Sequence, residues 1–154
     1  MQTKVRNGDG ERRRVWILFG WVFLIFFTSC FFVSIEVWVG LLKRIVPIPA
    51  VQGVLALFWY HCGIFVVKGW HATEYAILAS LLFLTLRTRL PRIPALLLSL
   101  CLAATFAATD EWHQTFVQYR DGCLRDVLID TTGATLAMLY WGRKTRPSAI
   151  GELS

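Results

Sequence analysis

The sequence predicts an all-α membrane protein: a bundle of four transmembrane helices with an extracytoplasmic amphipathic or re-entrant segment between spans one and two. Three observations carry this prediction. The 154 residues are 56% hydrophobic and 14% aromatic, with a mean hydropathy of +0.54, too apolar for a soluble domain of this length. The apolar residues come in long runs with basic clusters at their ends, where membrane topology places them. Ionisable residues crowd together only between Thr109 and Asp130. The net charge of +6 follows those run ends and forms no basic patch, which argues against a nucleic-acid partner.

Residues 1–14 are polar, glycine-containing and basic, and read as a disordered cytoplasmic tail. The first span covers about 15–35, with Trp16, Trp21 and Trp38 as interfacial anchors and Glu36 the first charge after it. Phe27-Thr28-Ser29-Cys30 faintly resembles a lipoprotein processing site but lacks the small residues of one, so the span is read as uncleaved. Residues 41–67 are read as interfacial: a short helix stopped by Pro47 and Pro49, then an uncharged stretch containing Gln52, Tyr60 and His61. A fifth span over 48–67 is the alternative. It would leave only Lys68-Gly69 to join two crossings. The second span runs over about 70–86, the third over 93–112 and the fourth over about 126–141, which completes a membrane domain at 15–142. Residues 143–154 form a second cytoplasmic tail.

Charge bias sets the orientation. One side holds eleven basic residues, in the N-terminal tail and after spans two and four. The other holds five, Lys43, Arg44, Lys68, Arg120 and Arg125. The positive-inside rule then puts both termini in the cytoplasm. A crossing helix needs about 20 residues. Counted back from their cytoplasmic ends, span two takes in His71 and Glu74, span three Asp110 and Glu111, and span four Asp126 and Asp130. Three helices thus bring polar groups into the same outer layer. Their spacings agree: Lys68, His71 and Glu74 or Tyr75 share a face, as do Glu111 and Gln114, while Asp126, Asp130, Gly133 and Ala137 form a stripe.

Each residue also has a plainer reading. Asp121-Gly122 reads as an exposed turn. Asp110 could face water at a helix end, and Asp126 could be an N-cap. His71 alone would be a hydrogen-bonded core histidine, and Lys68 could snorkel. Cys30 and Cys101 read as small core residues, and Cys62 with Cys123 leaves a disulfide open. No zinc motif is present, and no metal or other cofactor is expected.

Asp-Glu-Trp-His-Gln-Thr-Phe-Val at 110–117, then Arg120, Asp126-Val-Leu-Ile-Asp130 and Thr132-Gly133-Ala134, resemble the signature of VanZ-like membrane proteins. Residues 68–78 resemble the same family's upstream motif. The resemblance implies a small polytopic protein of the bacterial cytoplasmic membrane. The family takes its name from a member linked to resistance to the glycopeptide teicoplanin, and no biochemical activity is settled for it. By position it carries over His71, Glu111, Gln114, Arg120, Asp126 and Asp130. The chain departs from the family in having Gln118-Tyr119 where Pro-Gly is common, and Ala137 where a glycine is common.

Four functions compete. An outward-facing polar pocket could bind a membrane lipid or lipid-linked cell-wall precursor through His71, Glu74, Glu111, Gln114, Arg120, Asp126 and Asp130, with Arg120 as anion ligand. An intramembrane enzyme could act on such a head group, with Glu111 or Asp130 as base and His71 as acid. A proton-coupled transporter could use Asp126 and Asp130 as a relay. An ion-pair network locking the helices would need no chemistry at all.

Overall fold

The computed structural model describes residues 2–30, 40–41, 44–46, 48–118, 120 and 122–145. Within them the chain forms four long helices and no strand: α1 (Gln2–Ser29), α2 (Pro49–Leu86), α3 (Arg92–Gln114) and α4 (Leu124–Lys144). Two of these, α2 and α3, are long and apolar enough to cross a membrane.

The central element is α2, which packs against each of the other three. It contributes the large core side chains, Tyr75, Leu78 and Phe83. The facing helices contribute small ones. Ala95, Ser99, Ala103 and Ala107 form one buried stripe on α3, and Gly133 and Ala134 do the same on α4. Large residues on one helix against small ones on its neighbours let the backbones approach closely. The approach is tightest where Gly133 meets Ala72. A Cβ on that glycine would lie 2.0 Å from the Ala72 carbonyl oxygen.

Contacts along the bundle fix which ends meet. At one pole Arg89 pairs with Glu11, Arg14 donates to the Leu84 carbonyl at 3.4 Å, and Arg92 donates to the Gly142 carbonyl. One level in, the Trp141 indole donates to Ser80 at 3.1 Å. The opposite pole carries Ser29, Asp110, Glu111, Gln114 and Arg120.

Several expectations are corrected here. The basic segment at 2–14 is not irregular but continues α1 back to Gln2. Glu11-Arg12-Arg13-Arg14 are good helix formers, and two of them are tied to the end of α2. Residues 49–67 do not form an element separate from span two, because α2 runs unbroken from Pro49 through Lys68-Gly69 to Leu86. Proline at its first position suits a helix start, and an interior glycine costs only about 1 kcal/mol. The resulting 38 residues extend about 57 Å, at 1.5 Å per residue. Trp21 is no interfacial anchor, since its indole donates to the Glu74 carbonyl at 3.0 Å. Cys101 faces outward, and all four cysteines are free. Glu36, Trp38, Lys43, Tyr119, Asp121 and 146–154 lie outside the described residues.

Candidate functional site

The buried stripe of α3 changes character as it nears its C-terminus. After Ala107, the next buried positions are Asp110, Glu111 and Gln114. Asp110 accepts two hydrogen bonds on one oxygen, from Ser29 at 2.7 Å and from the Gln114 amide at 3.0 Å. The Gln114 carbonyl oxygen accepts in turn from Arg120 at 2.8 Å. The chain returns to this place by a turn in which the Arg120 N–H donates to the Val117 carbonyl at 3.1 Å. That turn closes with Gln118 where the family commonly has proline.

Glu111 is held differently. One of its carboxylate oxygens accepts from the backbone N–H of Cys123 at 2.9 Å. Gly122 makes this possible, because any Cβ there would stand 2.1 Å from the Glu111 carbonyl oxygen. Gly122 is therefore more than part of an exposed turn. Its glycine is a half-buried point of close approach. Asp126 is not the N-cap of α4, a position occupied by Cys123. Its side chain pairs with Lys68 and lies 3.6 Å from Arg125.

On α2, Glu74 is buried beneath His71, with Nδ1 of the histidine 3.8 Å from a Glu74 oxygen. The other Glu74 oxygen lies 3.2 Å from the Thr28 hydroxyl. That hydroxyl has one proton and is also 2.9 Å from the Ile25 carbonyl, so Glu74 shares it. Asp130 is 1% exposed, and neither of its carboxylate oxygens meets a hydrogen-bond donor among the described residues.

Three of the seven sequence-predicted residues, His71, Glu74 and Arg120, line a cavity of about 360 Å³ at this pole. Thr28 completes its polar wall, and Trp59, Val66, Val67 and Trp70 form the apolar one. Gln114 reaches the cavity only through Arg120. Glu111, Asp126 and Asp130 lie at the same pole but do not line it, so the seven do not share one chamber. A larger cavity, about 470 Å³, runs between α2 and α4 past Ala76, Ile77 and Leu136, and none of the seven lines it. Among the described residues no three His, Cys, Asp or Glu side chains are grouped so as to hold a metal ion.

Sequence reasoning missed Thr28 and Ser29, whose hydroxyls reach α2 and α3 across 46 and 81 residues of chain. It also left Asp110 outside the site, and it assigned Trp59 and Trp70 no place in it. A family model described as VanZ/LLP1 matches residues 14–144. No curated protein and no solved structure matches the chain.

Proposed function

This chain belongs to the VanZ/LLP1 family, and on that premise we propose that its cavity binds a lipid-linked or amphiphilic molecule of the bacterial cell envelope. In this reading all four helices cross the cytoplasmic membrane, both termini are cytoplasmic, and the Arg120 pole faces outward. The excess of basic residues at the Arg89 pole supports that orientation. With 21 residues, α4 extends about 31 Å, enough to span the hydrocarbon, while the apolar part of α1 after its basic start, residues 15–29, extends about 22 Å.

The observation that carries the binding reading is the two-sided cavity, with Thr28, His71, Glu74 and Arg120 facing an apolar wall of tryptophan and valine. Sites for amphiphiles combine apolar area with a few placed polar groups in this way. Gln114 and Asp110 hold Arg120 from behind. A part in tolerance of teicoplanin-type glycopeptides fits a cavity on the face where glycopeptides meet wall precursors. A second reading, an intramembrane enzyme acting on the head group, is favoured by the His71–Glu74 pair inside the cavity.

Arg120→Ala, at a residue that lines the cavity, tests the proposal. A ligand site predicts near-normal amounts of folded membrane protein and loss of the proposed glycopeptide tolerance. If abundance and tolerance fall together, the cluster is a lock and the binding reading fails.

A further inference from the structure

We infer that the ligand is a phosphate-headed lipid, with its head at Arg120 and its chain laid along the indole of Trp59 beside Val66 and Trp70. This deepens the binding reading above and rests on it. Gly63 is buried although it lies in an exposed stretch of α2. What covers it is Trp59. A Cβ at Gly63 would stand 3.2, 3.2 and 3.3 Å from three ring atoms of that indole. Three ring atoms at nearly one distance mean that the face of the ring lies against the helix. The glycine therefore lets Trp59 lie flat, as part of the apolar wall of the cavity.

Val66 and Trp70 extend that wall as exposed side chains, on the face of α2 that Trp59 and Gly63 share by helical spacing. No charged residue interrupts the helix between Pro49 and Val67.

The head end is selected by charge. Glu74 is buried and already faces His71 and Thr28. Among the described residues Arg120 is the one cation on the cavity wall, and the Gln114 carbonyl oxygen accepts from it. A planar guanidinium matches the oxygens of a phosphate ester, with His71 close by as a further hydrogen-bonding group.

The test uses the full chain in neutral maltoside micelles and a fluorescent phosphatidic acid, with the matching fluorescent diacylglycerol and millimolar inorganic phosphate as comparators. We expect saturable binding of phosphatidic acid, about tenfold or more tighter than diacylglycerol, the worth of one charge-assisted contact, and no competition by phosphate. Arg120→Gln should weaken it about tenfold by the same arithmetic. Trp59→Ala and Gly63→Leu, which remove or lift the indole, should each weaken it several-fold with unchanged melting. Loss with Arg120→Gln but not with the Trp59 and Gly63 variants overturns the chain path and leaves the binding reading standing. Loss with the indole variants but not with Arg120→Gln overturns the phosphate head, again without touching that reading. Equal binding of diacylglycerol, competition by phosphate, or no saturable binding overturns the lipid class proposed. The broader reading fails separately, on the abundance and tolerance of Arg120→Ala.

Discussion

Replacing Gly133 by alanine should separate α2 from α4. The added Cβ would sit 2.0 Å from the Ala72 oxygen, 2.7 Å from its carbonyl carbon and 2.9 Å from its Cα. All three are backbone atoms of a helix, so no side-chain rotation relieves the clash. Ordinary contact begins at 3.4 Å, and the helices must part there by more than an ångström. Overpacking typically costs about 1–3 kcal/mol. A backbone obstacle at the tightest helix contact belongs at or above the top of that range, and about 3 kcal/mol lowers the melting temperature by roughly 6–12 °C for a chain of this size. Thermal unfolding in detergent, followed by circular dichroism, measures the shift. Gly69→Ala is the control: that glycine lies on α2 with nothing within 4 Å, so the change should be neutral or raise stability by up to about 1 kcal/mol through helix propensity. If Gly133→Ala melts with the unmodified protein, the close approach is refuted, and with it the relative placement of Asp130 and His71.

Two further substitutions probe the site's supports. Gly122→Ala should drive the loop off the Glu111 carbonyl and break the Cys123–Glu111 hydrogen bond. In a variant whose other three cysteines are serine, alkylation of Cys123 should then speed up, and an unchanged rate would show that the loop does not depend on the glycine. Trp21→Phe should cost about 1 kcal/mol for the lost bond to the Glu74 carbonyl, whereas Trp16→Phe, at a ring 71% exposed, should cost nothing measurable in detergent. Equal melting temperatures for the two would return Trp21 to the role of interfacial anchor.

What the sequence showed, and what it hid, follows from the range of the forces involved. The bounds of α3 and α4 were legible because proline, glycine and charge mark them locally. The gathering of His71, Glu74, Glu111, Gln114, Asp126 and Asp130 at one pole was legible because charged groups near hydrocarbon have few affordable places. The continuity of α2 was not, since Lys68-Gly69 looks like a break but costs too little to make one. Ser29 and Thr28 were hidden because a hydroxyl in an apolar helix normally bonds its own backbone, as Thr28 does in part. Their partners Asp110 and Glu74 lie far along the chain. Gly122 and Gly63 were illegible for the same reason. Only the tertiary structure shows the carbonyl that forbids a Cβ at the first, or the indole laid across the second.

The central claim is that the cavity beside Arg120 holds a ligand with a polar head and an apolar body. Its most direct test is a cryo-electron microscopy structure of the full chain in nanodiscs made from the lipids of a bacterial membrane. The account predicts elongated density with its head against Arg120 and Thr28 and its body passing Trp70 and the face of Trp59. A cavity closed by its own side chains, with lipid only in a ring around the helices, would contradict it.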